Sequence, residues 1–168
     1  MSAPRTVVVG LGNPLRGDDG VGLEVVERLQ ELGLPPRAAA VNAGSPGIGL
    51  PCYLEGYDRA ILVDCARMGL APGAFRVFRP EEVTSRRPAV TTSAHDGDPL
   101  EGLRLARALG RPVECLLVGI EPQTLEGAVR LSPAVAAAVP RVVAQVQWLC
   151  VEESEWIHGG KETADSHR

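Results

Sequence analysis

Three side chains that lie far apart along the chain are candidates for a shared metal site. Asp19 lies in GLGNPLRGDDGVG, Asp64 ends the apolar run AILVD, and His95 stands in the segment SAHDGD. Two carboxylates and one imidazole with open coordination positions suit a divalent ion such as Zn, Ni, Mn or Fe. Oxygen and nitrogen donors of this kind are not selective, so the residues alone leave the identity of the metal open.

Each candidate also has a simpler explanation. Asp18 and Asp19 could cap the helix that follows them, although one carboxylate is enough for a cap and two adjacent ones repel each other. The second carboxylate could therefore meet a cation or lie in a solvated turn. Asp64 could cap a turn, and His95, like most loop histidines, could be a surface residue. A carboxylate at the end of a buried strand is costly unless it finds such a partner.

The elements that would position these residues alternate between strand-like and helix-like patterns. This order predicts a single-domain α/β fold of three layers, with a mostly parallel central sheet and helices on both faces. The predicted strands cover residues 6–10, 38–42, 60–64, 75–78 and 113–118. The predicted helices cover residues 21–32, 48–54 and 99–109, with a last helix from Pro133 that Pro140 should kink or split. The strand at 60–64 should be central, and residues 80–98 should form the longest loop.

The turn after the first strand is the densest signal. In an open parallel sheet, ligands bind beyond the carboxyl ends of the strands, and this turn lies there. A dinucleotide fingerprint is disfavoured because Leu15 occupies the position of its third glycine. A phosphate is disfavoured because Asp18 and Asp19 stand at the helix start, where an anion would need positive potential.

Composition limits the classes of function. The 168 residues suit one domain, predicted at 1–150, followed by a polar segment at 151–168 that should be mobile. A net charge of -4 argues against a nucleic-acid partner. The sequence contains no run of 18 apolar residues, so we expect no membrane span. The four cysteines form no C-x-x-C pair, and no export signal is apparent, so we expect a reduced, cytoplasmic protein.

Nucleophilic catalysis has little support in the sequence. Cys65 follows Asp64, but neighbouring side chains in a strand point to opposite faces, so we expect a buried apolar cysteine. Ser45 lies in AGSPG, which is typical of a turn and lacks the strand-to-helix context of a nucleophilic serine.

Taken together, GLGNPLRGDDGVG, ILVDCA, SAHDGD and VGIEP resemble the hydrogenase maturation proteases over roughly residues 5 to 150. The resemblance implies an endopeptidase that removes the C-terminal extension of a nickel-iron hydrogenase large-subunit precursor after nickel insertion. It also implies that Asp19, Asp64 and His95 contact nickel, and that the precursor carries this nickel rather than the protease. Asp19 or Asp64 would then be the candidate general base. We expect the protein to act as a monomer.

Two other functions remain open. A non-catalytic nickel-binding or chaperone module would use the same three ligands, so the residues do not separate it from a protease. The motif GLGNP also begins the peptidyl-tRNA hydrolases. That family needs a histidine soon after the motif, whereas this chain continues LRGDDGVG and is acidic overall.

Overall fold

The computed structural model describes residues 2–85, 98–127 and 129–157. These residues form one five-stranded sheet with the order β2-β1-β3-β5-β4. The strands are β1 (Thr6–Leu11), β2 (Ala38–Gly44), β3 (Arg59–Cys65), β4 (Phe75–Phe78) and β5 (Glu114–Ile120). The helices are α1 (Val21–Leu32), α2 (Leu50–Leu54), α3 (Pro80–Ser85), α4 (Pro99–Ala108), α5 (Pro133–Val151) and α6 (Ser154–Ile157).

The sheet is parallel except for its last strand. β1 pairs in parallel with β2 and β3, and β3 pairs in parallel with β5, whereas β4 is antiparallel to β5. β3 is therefore the central strand, and its apolar residues are fully buried, as expected for a strand covered on both faces. The predicted α/β fold with a mostly parallel sheet is confirmed.

Side chains alternate between two apolar cores. In β3, Ile61 and Val63 face the first core, which α1 and α5 cover; Ala60 and Leu62 face the second, which α2 and α4 cover. This alternation also determines the directions in which the last two side chains of the strand point. Asp64 follows the parity of Leu62, and Cys65 packs against the first core, so the two side chains point to opposite faces.

The first turn of α1 lies directly against the sheet because Gly22 has no side chain. A Cβ atom there would lie 2.2 Å from the carbonyl oxygen of Val63 and 2.5 Å from that of Leu11. The glycine thus brings the first turn of α1 over the ends of β1 and β3, which is where the acidic residues lie.

Two sequence predictions need correction. Residues 80–98 were predicted to be a loop, but Pro80–Ser85 forms α3. Glu82 stabilises its start, since Glu82 Oε2 accepts the Arg79 amide and the Glu82 amide makes a backbone bond to the Arg79 carbonyl. Pro140, which was predicted to kink or split the last helix, does not split α5. It lies on the exposed face of the helix, where water can satisfy the carbonyl that loses its partner.

Most of the segment 151–168 was predicted to be mobile, and at its start Val151 ends α5 and Ser154–Ile157 forms α6. Trp156 in α6 is buried against the first core, and its indole N–H donates to the Leu149 carbonyl at 3.0 Å. The guanidinium carbon of Arg59 lies 4.9 Å from the Trp156 ring centre, a cation–π distance, and Arg79 donates to the Trp156 carbonyl. Residues 158–168 lie outside the described part of the chain.

α5 is the one described helix that is long and apolar enough, by length and composition alone, to suit a membrane span. Its apolar residues supply much of the first core, from Val135 to Leu149. That packing accounts for its composition as a core helix.

Candidate active site

Asp19 lies in a tightly hydrogen-bonded turn between β1 and α1. The turn includes a short 3₁₀ helix, Gly17–Gly20, that leads directly into α1. The Asn13 amide donates to Asp19 Oδ2 at 3.0 Å, and the Leu15 amide donates to Asn13 Oδ1 at 2.9 Å. The turn therefore holds the Asp19 carboxylate at the carboxyl end of β1, half-buried at the rim of the sheet.

Gly12 makes this turn possible. Its φ angle is +127°, and a Cβ atom there would lie 1.8 Å from the Asp19 carbonyl oxygen. An L-residue with a side chain would be both strained and in collision with the backbone of Asp19. The glycine therefore fixes how closely the two ends of the turn approach.

Asp64 lies at the carboxyl end of the central strand. Its Oδ1 atom accepts a hydrogen bond from the Cys65 amide at 2.8 Å. Burial, together with the negative charge of Asp19, raises the pKa of the Asp64 carboxyl from 3.8 to about 7. Asp64 is nevertheless only half-buried, because one side of the residue faces solvent at the rim.

The two carboxylates form one electrostatic unit. Within the described residues, no arginine or lysine forms an ion pair with Asp64. A divalent cation would relieve both the desolvation of Asp64 and its repulsion by Asp19, and hard or borderline cations accept carboxylate ligands. The donor set of Asp19 and Asp64 therefore fits a metal ion.

The third predicted ligand is not described. His95 lies within residues 86–97, outside the described part of the chain. Among residues 2–85, 98–127 and 129–157, no group of three His, Cys, Asp or Glu side chains is arranged to hold a metal ion. The structure thus brings Asp19 and Asp64 together, and the three-ligand site stays a prediction.

Asp18 does different work from its neighbour. Its side chain is fully buried and accepts hydrogen bonds from the amides of Gln123, Thr124 and Ser132 and from the Ser132 hydroxyl, at 2.7–3.0 Å. Burial opposes ionisation, but these four bonds together hold the carboxyl pKa below its usual value. Asp18 therefore joins the turn after β1 to the loop between β5 and α5.

This arrangement corrects the capping interpretation. Neither Asp18 nor Asp19 caps α1, whose N-cap position is Gly20 and which has no side-chain cap. Ser132 stands at the N-cap position of α5, but its hydroxyl bonds to Asp18 instead of capping the helix. Asp98, by contrast, caps α4, because its Oδ1 atom accepts the Leu100 amide at 2.9 Å.

Glu121 is a second buried carboxylate that the sequence interpretation passed over, although it lies in the VGIEP motif. Its Oε2 atom accepts hydrogen bonds from the amides of Met68 and Leu70, at 2.5 and 3.3 Å. These amides belong to the loop that follows Asp64 and Cys65. Glu121 therefore fixes the chain that leaves the central strand at the site.

Cys65 is unsuited to act as a nucleophile. Burial raises the pKa of its thiol strongly, and the charges of Asp64 and Asp19 add to the effect. The reactive thiolate is thus scarce at neutral pH. This agrees with the prediction of an apolar cysteine.

Known proteins with similar sequences are hydrogenase maturation factors. The sequence model of the family described as hydrogenase maturation protease matches residues 23–147. The hydrogenase expression/formation protein HoxM of Azotobacter vinelandii is 35% identical over 128 residues, which cover 75% of this chain and 62% of that protein. The hydrogenase 2 maturation protease of Escherichia coli is 33% identical over 150 residues, which cover 84% of this chain and 88% of that protein. The chain thus spans less than two thirds of the Azotobacter relative's length.

The fold agrees with the sequence comparison. The hydrogenase maturating endopeptidase HybD of Escherichia coli superposes with a TM-score of 0.74 and 29% identity, covering 89% of this chain and 93% of HybD. The [NiFe] hydrogenase maturation protease HybD of Thermococcus kodakarensis has a TM-score of 0.73 and 30% identity, with 86% and 98% covered. With the family match over most of its length and relatives above 30% identity, this chain belongs to the hydrogenase maturation protease family.

Proposed function

We propose that this protein is an endopeptidase that removes the C-terminal extension of a nickel-iron hydrogenase large-subunit precursor after nickel insertion. Asp19, Asp64 and His95 contact the nickel, which arrives bound to the precursor. Family membership supports the reaction, and the observation that carries the site is the Asp64 carboxyl, whose pKa burial and the charge of Asp19 raise to about 7.

The electrostatics of the pair favour a metal that comes and goes. Without a cation, ionising Asp64 beside Asp19 costs free energy, so the empty site tends to keep a proton. Nickel bound to the precursor offsets that cost and displaces the proton. Docking of the loaded precursor is therefore favoured over docking of the unloaded one, because the contacts to Asp19 and Asp64 form only when the metal is present.

Peptide hydrolysis needs a water molecule, a base and a proton donor for the leaving amine. Water adds to the carbonyl carbon of the scissile bond, the carbon–nitrogen bond breaks, and the proton taken from water ends on the amine. Asp64 Oδ1 already accepts the Cys65 amide, so Oδ2 is the oxygen available to a metal or a water. We assign Asp64 or Asp19 as the base, because both carboxylates lie at the rim where the substrate must bind.

We place this processing in the cytoplasm. All four cysteines, Cys52, Cys65, Cys115 and Cys150, are free thiols, which suits the reducing cytoplasm. Metal insertion into the precursor and its processing would then take place in the same compartment.

The direct test is incubation of purified protein with the matched precursor in nickel-loaded and nickel-free forms, followed by intact-mass measurement. We expect the loaded precursor to lose a short C-terminal peptide and the nickel-free precursor to stay intact. If nickel binds but the loaded precursor is not cut, the protein is a nickel-binding or chaperone module and the proposal is wrong.

Three variants connect the activity to the site. Asp19→Ala, Asp64→Ala and His95→Ala should each abolish processing while circular dichroism remains that of the wild type. Asp58→Ala is a matched control, because this exposed carboxylate lies just before the other end of β3. Full processing by all three site variants would show that Asp19, Asp64 and His95 do not form the site.

A further inference from the structure

Three large aliphatic side chains are exposed on loops at the rim that carries Asp19 and Asp64. Leu15 is 71% exposed, Ile48 is 74% exposed and Val129 is 74% exposed. They follow β1, β2 and β5, whose carboxyl ends all lie at this edge of the parallel sheet. We call these three side chains the rim anchors.

The loop that presents Leu15 is held by its own hydrogen bonds. The Leu15 amide donates to Asn13 Oδ1, and the Arg16 amide donates to the Asn13 carbonyl at 3.1 Å. Such a turn presents its apolar tip in one conformation, so little entropy is lost when a partner covers it. An exposed leucine on an ordered turn is suited to binding.

The neighbouring loops are joined to this turn. On one side the Gly12 amide donates to the Gly44 carbonyl at 2.9 Å, at the start of the loop that carries Ile48. On the other side the Asp18 carboxylate holds both ends of the loop that carries Val129, through the Thr124 and Ser132 amides. The three rim anchors thus stand on one hydrogen-bonded rim.

We propose that the rim anchors are the apolar docking surface for the folded large-subunit precursor, and this inference rests on the proposed function above. The Asn13 amide bonds to the Asp19 carboxylate, and Leu15 lies two residues further along the same turn. A protein that brings a bound metal to Asp19 must therefore approach the turn that presents Leu15. Because the rim anchors are aliphatic, the partner must offer an apolar patch around the base of its C-terminal extension.

The molecule offers matched controls at its opposite edge. Leu32 ends α1 and is 69% exposed, and Leu109 follows α4 and is 59% exposed. Both precede the amino ends of strands, so they lie away from the acidic pair. They match the rim anchors in type and exposure but not in position.

The test compares the double variants Leu15→Ser/Ile48→Ser and Leu32→Ser/Leu109→Ser in the cleavage of nickel-loaded precursor. We expect the rim variant to raise KM at least about tenfold with kcat within about twofold, since exposed anchors contribute to binding rather than to chemistry. The opposite-edge variant should keep the wild-type KM. Val129→Ser should add to the rim effect, and Leu15→Met should restore most of the binding because methionine keeps the apolar volume.

The outcomes separate this inference from the proposed function. If wild-type protein does not cut loaded precursor, the proposed function fails. If wild type cuts and the rim variant cuts with unchanged KM, the docking surface is wrong and the proposed function stands. Equal KM increases in both double variants would also overturn the docking surface, because position would then not matter. Urea unfolding of each variant checks that the exposed substitutions leave the fold unchanged.

Discussion

Replacing Asp64 with asparagine should stabilise the metal-free protein while abolishing processing. The variant keeps a side-chain oxygen for the Cys65 amide and removes the charge that burial and Asp19 disfavour. A rise in the carboxyl pKa from 3.8 to about 7 corresponds to about 4 kcal/mol against the folded state at full ionisation. Because the side chain reaches solvent at the rim, which screens its charge, we expect about half of that, roughly 2 kcal/mol.

The sign of the pH dependence is fixed by the direction of the pKa shift. Below about pH 4 the Asp64 carboxyl is protonated in both folded and unfolded chains, and wild type and variant should be similarly stable. As pH rises from 4 to 7, the unfolded chain releases this proton first, so the wild type loses stability relative to the variant. Above about pH 8 the difference should stay constant.

Urea unfolding at pH 5 and pH 8, at equal ionic strength, measures this difference. Asp58→Asn is the control, because Asp58 is an exposed carboxylate next to the other end of β3 that accepts only the Arg5 amide at 2.7 Å among described contacts. Asp58→Asn should show no comparable gain at pH 8. A lower stability of Asp64→Asn than of wild type at pH 8, or an equal stability advantage at both pH values, would contradict this expectation.

Three further predictions concern two residues of the turn that carries Asp19 and one buried residue of α6. Asp18→Asn should lower the free energy of unfolding, measured in urea, by about 2 to 4 kcal/mol, because the new side-chain amide would face backbone N–H donors. Asp19→Asn should lower it by less than about 1 kcal/mol. Equal losses for the two variants would contradict the different roles of Asp18 and Asp19. Gly12→Ala should abolish processing in the mass assay, because its Cβ collides with the Asp19 backbone, and an active variant would refute this. Trp156→Ala should destabilise by about 3 kcal/mol or more, because the indole is buried in the first core, and an unchanged urea midpoint would show that α6 is dispensable.

The sequence was most informative where burial decides the structure. The unbroken apolar run before Asp64 predicted a central strand, and β3 is central because both of its faces are covered. The same run placed Asp64 at the carboxyl end of the sheet. The turn after β1 was likewise placed at the correct rim, since strand ends and glycines are local signals.

The contacts between distant segments could not be read from the sequence. Asp18 bonds to residues more than 100 positions away, and no local pattern distinguishes it from Asp19. Trp156 lies in a polar stretch, where its burial depends on Arg59, Arg79 and the end of α5 coming together. The role of Glu121 depends on its hydrogen bond with the Met68 amide, in the loop after β3, and no local sequence pattern indicates that contact.

The rim anchors illustrate a different limit. The sequence of a glycine-rich turn does not indicate whether a leucine in it points into the core or out to solvent. Only the exposure of Leu15, with the hydrogen bonds of Asn13 that hold its turn, identified it as a surface feature.

Asp19 and Asp64 are proposed to contact a metal that the precursor carries. The most direct measurement is the dissociation constant of the complex with nickel-loaded and nickel-free precursor, for wild type and for the Asp19→Asn/Asp64→Asn double variant. We expect wild type to bind the loaded precursor at least about tenfold more tightly than the nickel-free one, and this preference to disappear in the double variant. Equal affinity of wild type for both precursors, or a nickel preference that survives in the double variant, would contradict it.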